Sequence, residues 1–380
     1  MVRPVSGDHV MFQECIQVFR PKPDSYIISD ESEKRGYLLL DFDLRKELNF
    51  SRFKIEPTHK IKLSESYGSF IAPVVLPDCK DSSNSHLYTI ALSSLISFVT
   101  SRPAKAPRDS DIEVDYKTLT LLFPSKLYGP NYVNTFLPEE KIQGISSELR
   151  EIIDMLHAFP YEDYKRFMQS IRLINLAHNN KREDFALAYY LLVSAIEGIA
   201  QMAIPLEIKE DPQEKEWEIL AKEHKSIKSL LNQFRNFQNN SHQLTKRFIN
   251  FILQYCPSSE WLRLEHSEED TIASFESKAD FSWITKKKWD EVYPEDFKAS
   301  DIKKIIGDTY KYRSKYSHEG EAPPHTNPDA FHRFFETENE WDHEKREYTE
   351  KHLINYRLLS FIAKNSILEY MRIRYKQLNT

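Results

Sequence analysis

The spacing of apolar residues changes near residue 145 of the 380-residue chain. Before this point, short runs of β-branched and aromatic residues are bounded by Pro, Asp, Ser or Gly, which is typical of strands. After it, apolar residues recur every three or four positions over longer stretches, which is typical of amphipathic helices. The pattern therefore predicts an α+β protein with a strand-rich mixed α/β amino-terminal domain, residues 1–145, and an all-α helical bundle, residues 146–380.

The first part contains several predicted strands and one predicted helix. The helix is Tyr88–Val99, whose apolar positions are spaced by three and four. The basic, Pro-rich segment Arg102–Arg108 follows it and is either a solvated connector or a contact for phosphate groups. The predicted strands are Val10–Phe19, Tyr37–Phe42, Phe53–Leu63, Phe70–Leu76 and Ile112–Phe123.

The second part reads as a series of helices with one interruption. Residues 257–296 lack a helical pattern and are predicted to form an irregular insertion. Asp184 is placed to cap the helix Phe185–Met202, which is apolar nearly all round and so belongs at the centre of a bundle. The predicted helices are Ser147–Phe159, Tyr164–His178, Phe185–Met202, Ile227–Phe237, Leu244–Tyr255, Asp301–Glu321 and Tyr348–Tyr375.

Composition describes an ordinary soluble protein, with 40% hydrophobic and 29% charged residues. The net charge of -6 argues against a surface that grips nucleic acid unspecifically, although a local basic patch is allowed. The three cysteines have no metal-ligand spacing and suit a reducing compartment. The first ten residues, MVRPVSGDHV, lack the apolar core that a signal peptide would have, and the apolar run Leu187–Ala200 is short and interrupted by Glu197. We therefore expect a cytoplasmic protein without membrane contact.

Familiar nucleotide, metal and hydrolase motifs are missing from the sequence. It has no GxGxxG, GxxxxGK[ST], HExxH or GxSxG pattern. His325, His332 and His343 share one polar region, where they either meet at a metal or lie on a surface loop. We predict neither a metal site nor a cofactor.

The predicted helix Asp301–Glu321 carries a candidate site near its end. Gly320 and the prolines after it stop the helix. Arg313 and His318 precede that stop. Histidine moves protons near neutral pH, and the planar fork of arginine fits a phosphate. The two suffice for metal-free phosphoryl transfer on RNA, because one group handles a proton and the other holds the phosphate charge.

The position of these two residues indicates a site shared between two chains. His318 lies at a helix C-terminus beside Glu319 and Glu321, and both features favour a protonated imidazole. Five positions along a helix correspond to a rotation of about 140°, so Arg313 and His318 do not share one face. A second copy related by a two-fold axis would supply the missing half of the site.

Glu197 is the other unusual residue, because it lies among apolar residues where an unpaired carboxylate is costly. Arg313 is its expected partner. Two interpretations remain open from the residues alone. Either Glu197, Arg313 and His318 form a catalytic group, or the first two form an internal ion pair and His318 only caps the helix.

Two segments resemble HEPN domains, especially the branch found in ApeA-like antiphage proteins. The first is TYKYRSKYSHEGE, with an R-x4-H motif at Arg313 and His318. The second is FALAYYLLVSAIEGIA, which resembles the HEPN helix that carries a glutamate, here Glu197. The resemblance covers residues 146–380, whereas residues 1–145 match no family we can name.

The resemblance implies a fold, an activity and a set of site residues. HEPN domains are helical bundles that commonly dimerise, and many are metal-independent endoribonucleases whose paired motifs meet at the dimer interface. Arg313, His318 and Glu197 would then be catalytic. Ser314 stands where many such enzymes have Asn, Asp or His, and its hydroxyl still forms hydrogen bonds. Ser314, Lys315 and Tyr316 are the expected RNA contacts.

Two functional hypotheses follow. The first is an endoribonuclease in antiviral defence, a toxin or abortive-infection effector, whose amino-terminal domain is expected to sense a phage-derived trigger or to position RNA. The second is a non-catalytic HEPN adaptor that binds a partner protein or nucleic acid. The run Lys286–Lys288 and the basic residues of the last helix either contact RNA phosphates or form solvated faces. These last-helix residues are Arg357, Lys364, Arg372, Arg374 and Lys376.

Overall fold

The computed structural model describes most of the chain. Two predicted strands, Ile112–Phe123 and all of Val10–Phe19 except its last residue, lie outside the described residues, as do His325, His332 and His343. The described residues are 19, 28–50, 53–62, 67–79, 85–107, 129–130, 137, 139–206, 212–237, 243–265, 287–292, 301–324, 334–342 and 346–379.

Among the described residues of the first part, seven strands form one sheet. Predicted strands Tyr37–Phe42 and Phe70–Leu76 fall largely within its two long strands, whereas predicted strand Phe53–Leu63 is divided between two short ones. Two long strands pair antiparallel at its centre, with Leu38 opposite Ala72 and Leu40 opposite Phe70. The order is β2-β3-β5-β1-β6, and β4 and β7 also pair with β5. The strands are β1 Ile28–Leu40, β2 Leu48–Asn49, β3 Lys54–Ile55, β4 His59–Lys62, β5 Tyr67–Cys79, β6 Ala104–Lys105 and β7 Gly129–Pro130.

Helices dominate the second part, and each helix predicted there as far as Glu321 has a counterpart. The division at residue 145 falls inside α2, which begins at Glu139. Helix α5 was not predicted. The helices are α1 Ser85–Thr100, α2 Glu139–Ala158, α3 Tyr161–Asn180, α4 Phe185–Ala203, α5 Pro212–Glu223, α6 Lys225–Phe237, α7 Gln243–Tyr255, α8 Ser258–Trp261, α9 Ile302–Glu319 and α10 Tyr356–Asn379.

The second part is not all-α, which corrects the sequence prediction. An antiparallel pair of strands, β8 Phe335–Asp342 and β9 Glu347–Ile354, lies between α9 and α10. The predicted last helix began at Tyr348, inside β9. The helix begins eight residues later because Asn355 caps it, its Oδ1 accepting a hydrogen bond from the Arg357 N–H.

The two parts share one hydrophobic core. Buried residues of the sheet, of α1 and of the helical bundle belong to a single cluster. Asn175 and Asn179 of α3 both donate side-chain hydrogen bonds to the carbonyl oxygen of Ala104 in β6. In the same basic segment, Arg102 Nε lies 3.1 Å from Asp41 Oδ1. Arg102 therefore pairs with the carboxylate that directly follows β1, whereas Arg108 lies outside the described residues.

The predicted insertion at 257–296 is partly packed into this core. Trp261 ends α8 and is fully buried, and Trp289 begins a single turn of 3-10 helix. Their rings lie 6.0 Å apart, and Trp289 also contacts Phe335 at the start of β8. The described pieces of the insertion therefore support the base of the β8–β9 hairpin.

The length and composition of helix α4 fit both a membrane-spanning helix and the core helix of a soluble protein. Within the described part of the chain, it is the one helix long and apolar enough to cross a membrane, judged by length and composition. Half of its apolar window is buried in the protein, and Asp184 caps it by accepting a hydrogen bond from the Leu187 N–H. Core helices of soluble proteins have this length and composition, and the burial of α4 fits that class.

His178, near the end of α3, is buried between α3 and α10. The Tyr356 hydroxyl lies 3.3 Å from its Nδ1, and the Ser360 hydroxyl lies 3.4 Å from its Nε2. Burial, with a smaller contribution from the charge of Lys181, lowers the pKa of His178 from 6.5 to about 3. The folded protein therefore holds this imidazole neutral.

We expect acid to destabilise the protein through His178. A histidine that protonates less readily when folded contributes stability that is complete above its unfolded pKa of 6.5 and is lost as the pH falls toward 3. Between about pH 7.5 and about pH 5, the loss should be about 2 kcal/mol in the free energy of unfolding. Urea unfolding of wild type and His178→Gln at both pH values measures it. Equal pH dependence in the two proteins would contradict this assignment.

Candidate active site

Helix α9, which carries the motif residues, is anchored by a buried apolar face. Ile302, Ile305 and Ile306 are buried, as their spacing predicted. The helix ends at Glu319, and Gly320 adopts a left-handed conformation with φ of 70° while its N–H donates to the Tyr316 carbonyl. Glycine is favoured there because other residues are strained at positive φ. The predicted helix and its stop are therefore confirmed.

Arg313 and His318 point to different sides of α9. Arg313 faces α4, and 34% of its side chain is exposed. His318 is exposed to solvent, and among the described residues none forms a hydrogen bond or ion pair with its ring. One chain therefore does not bring the two side chains together.

The predicted pairing of Glu197 with Arg313 is confirmed. Glu197 is buried in α4, and its Oε2 lies 3.1 Å from Arg313 Nε. The angle at this contact falls outside that of a directed hydrogen bond, so the attraction is chiefly ionic. The other oxygen, Oε1, accepts a hydrogen bond of 2.9 Å from Gln201 Nε2. Glu197 therefore joins the two helices through an ion pair.

Tyr310 completes the surroundings of this carboxylate. Burial, together with the nearby charge of Glu197, raises the pKa of its hydroxyl to about 12. The ring packs against Phe248 of α7 at 5.0 Å. Sequence reasoning missed both Tyr310 and Gln201. Their spacing could have indicated them. Tyr310 precedes Arg313 by three residues and so lies on the same face of α9, and Gln201 follows Glu197 by four residues and so lies on the same face of α4.

The three expected RNA contacts have different surroundings. Ser314 is exposed. Lys315 Nζ lies 3.5 Å from Glu321 and 3.9 Å from Glu338 of β8. The Tyr316 ring packs on Tyr190 of α4 at 5.2 Å. Lys315 and Tyr316 are therefore held by contacts within the chain, and Ser314 alone of the three is presented openly.

Three of the five basic residues of α10 form ion pairs within the fold. Lys364 Nζ lies 2.9 Å from Glu148 Oε1. Arg372 forms two hydrogen bonds with Glu151, and Arg374 Nε lies 2.7 Å from Asp163. These ion pairs join α10 to α2 and α3. These three residues therefore have a structural role, and their contact with RNA phosphates stays a prediction.

No metal centre is found where the structure describes the chain. Within those residues, no group of three or more His, Cys, Asp or Glu side chains could hold a metal ion.

Comparison of the chain with protein-family models, curated proteins and solved structures finds no match.

Proposed function

We propose that this protein is a cytoplasmic, metal-independent endoribonuclease of the HEPN type that acts as a homodimer. The arrangement of Arg313 carries the proposal. Glu197 lies 3.1 Å from its Nε, and among the described residues no hydrogen bond to Nη1 or Nη2 is found. The ion pair therefore fixes the guanidinium at Nε and leaves the two terminal nitrogens available for a phosphate.

The proposed reaction uses the 2′-hydroxyl of RNA as the nucleophile. The 2′ oxygen attacks the adjacent phosphorus, and the bond from phosphorus to the 5′ oxygen breaks. His318 removes the 2′ proton or protonates the leaving 5′ oxygen, and Arg313 holds the charge that develops on the phosphate. A second His318 from a partner chain would perform the other proton transfer. The separation of Arg313 and His318 on one helix therefore supports a composite cleft.

The biological setting of this proposal rests on the resemblance of Glu197 and the R-x4-H motif to antiphage HEPN proteins. It makes the chain an abortive-infection or toxin effector. The amino-terminal part would sense a phage-derived trigger or position RNA. Growth on expression tests this role: we expect wild type to arrest cells, at least after infection, and Arg313→Ala and His318→Ala each to relieve the arrest.

A non-catalytic adaptor is the second candidate function, and the Glu197–Arg313 pair is the observation that favours it. The pair links α4 to α9, so a structural role alone would account for the presence of both residues. An adaptor would bind RNA or a partner protein equally well after Arg313→Ala and His318→Ala, and its expression would not arrest growth. The two functions therefore give opposite results with the same variants.

Replacing Glu197 by glutamine tests its positioning role. The substitution keeps the hydrogen-bonding shape but removes the charge that orients Arg313, so we expect kcat to fall by about tenfold. Stability should change by less than about 1 kcal/mol, because Arg313 is partly exposed to solvent. Cleavage kinetics and urea unfolding measure the two effects. An unchanged kcat would show that Glu197 does not act through Arg313.

A further inference from the structure

Helices α4 and α9 meet along a row of side-chain contacts that includes Arg313. Glu197 of α4 lies 3.1 Å from Arg313 Nε, and the Tyr190 ring of α4 packs on the Tyr316 ring of α9 at 5.2 Å. The residue numbers rise along one helix as they fall along the other, so the two helices run antiparallel. Tyr190 and Tyr316, the tyrosine pair, therefore form a second contact in this row, on the side of the ion pair that faces the end of α9.

The tyrosine pair lies close to the guanidinium. Tyr316 follows Arg313 by three residues, which corresponds to a rise of about 4.5 Å and places the two residues as neighbours on the helix surface. Long side chains of a helix lean toward its N-terminus, so both side chains shift in the same direction. About one helical turn therefore separates the Tyr316 ring from the Arg313 guanidinium.

The tyrosine pair reaches the protein surface. Both side chains are half-buried, and among the described residues neither hydroxyl forms a hydrogen bond or is closed off from solvent. By contrast, the fully buried Tyr164 and Tyr189 each form a hydrogen bond with a backbone group. A buried tyrosine hydroxyl usually finds such a partner. The contact between the two rings thus holds them in place and leaves part of their surface open to a ligand.

We propose that the tyrosine pair stacks against an RNA base that adjoins the phosphate held by Arg313. This inference rests on the proposed function, which places that phosphate. Proteins bind single-stranded RNA by stacking its bases on aromatic side chains. One helical turn is comparable with the separation between a base and an adjoining phosphate of the same strand. Tyr316 thereby gains a specific role among the expected RNA contacts, and Tyr190, which lies outside the R-x4-H motif, is added to them.

The charges near the tyrosine pair favour a base over a second phosphate. Glu319 follows Tyr316 by one helical turn and is exposed. Its carboxylate would repel a phosphate placed over the rings, whereas a neutral base carries no charge to be repelled. The nearby Lys315 is engaged by Glu321 and Glu338, at 3.5 and 3.9 Å from its Nζ. A side chain of a partner protein is the competing occupant of the tyrosine pair.

A fluorescent base tests this subsite on the full chain. The probe is a short 2′-O-methyl RNA, which lacks the nucleophile, with 2-aminopurine placed at each position in turn. Emission of 2-aminopurine falls when it stacks, so we expect quenching at a position that adjoins the cleaved phosphate. Tyr190→Leu/Tyr316→Leu should abolish this quenching and raise the Kd by roughly tenfold to hundredfold. Tyr190→Phe/Tyr316→Phe keeps both rings and should bind nearly as tightly as wild type.

Two controls separate stacking from a loss of folding. Trp341 and Tyr348 on the β8–β9 hairpin form a more exposed aromatic pair, with rings 5.0 Å apart and exposures of 42% and 71%. Trp341→Leu/Tyr348→Leu should leave the Kd at the wild-type value. An abasic nucleotide at the quenched position should weaken binding to wild type but not weaken it further in Tyr190→Leu/Tyr316→Leu. Misfolding would not produce such non-additive losses.

Several results would overturn the base subsite. They are a Kd that Tyr190→Leu/Tyr316→Leu leaves unchanged, additive losses from that variant and the abasic nucleotide, and a wild type that binds none of the probe strands. Cleavage kinetics separate this inference from the proposed activity. RNA binding that depends on the tyrosine pair, in a chain that cuts no RNA, would leave the subsite standing and remove the ribonuclease. RNA cleavage with the same kcat/KM in wild type and the leucine variant would do the reverse.

Discussion

Replacing His318 by alanine is expected to lower the rate of RNA cleavage by about 10²- to 10⁴-fold. The imidazole is the proton-transfer group of the proposed reaction, and its removal leaves no equivalent on the exposed face of α9. The free energy of unfolding should change little, because His318 is exposed and no hydrogen bond or ion pair to it is found in the described residues. Single-turnover cleavage of end-labelled RNA, beside urea unfolding, separates the two quantities.

His224 provides the matched control for this experiment. It is an exposed histidine between α5 and α6, and His224→Ala should cleave RNA at the wild-type rate. Wild-type cleavage by His318→Ala would contradict the catalytic role of this residue.

Replacing Arg313 by alanine should affect both activity and stability. We expect cleavage to fall by about 10²- to 10³-fold, because the phosphate charge loses its cation. The free energy of unfolding should fall by about 1 to 3 kcal/mol, because Glu197 is then buried without its ionic partner. This second effect distinguishes Arg313 from His318, whose loss should leave stability intact.

Two further variants separate the roles of Arg313. Arg313→Lys keeps a cation beside Glu197 but loses the planar fork, so stability should largely return while cleavage stays low. Arg313→Ala/Glu197→Gln removes the buried charge together with its partner, so it should also be more stable than Arg313→Ala but remain inactive. Wild-type cleavage by Arg313→Lys would show that a point charge is enough.

Local signals were sufficient to predict the elements that hold the candidate site. Asp184 caps α4, Gly320 ends α9, and both helices carry long apolar stripes. The Glu197–Arg313 pair could also be predicted, because a carboxylate inside an apolar helix requires a cation and the motif helix offers one. The α+β class follows from the change of period near residue 145 and is confirmed.

The errors arose where partners distant in sequence decide the structure. Segment 347–354 has a polar and apolar pattern compatible with either a strand or a helix, and its pairing with β8 decides for the strand. Lys315 remains a predicted RNA contact, but its ion pairs with Glu321 and with Glu338 of β8 were not predicted. Similarly, Lys364, Arg372 and Arg374 of α10 pair with carboxylates on α2 and α3, which no local pattern reveals.

The most direct test of the account is cleavage of labelled RNA in excess EDTA, with analysis of the product ends. The account predicts that wild type cuts RNA but not DNA of the same sequence, and leaves 5′-hydroxyl and 2′,3′-cyclic phosphate ends. It also predicts that a 2′-deoxy substitution at the cleaved position blocks the cut, and that Arg313→Ala and His318→Ala are inactive. Cleavage that requires an added metal ion, or equal cleavage by wild type and both variants, would contradict it.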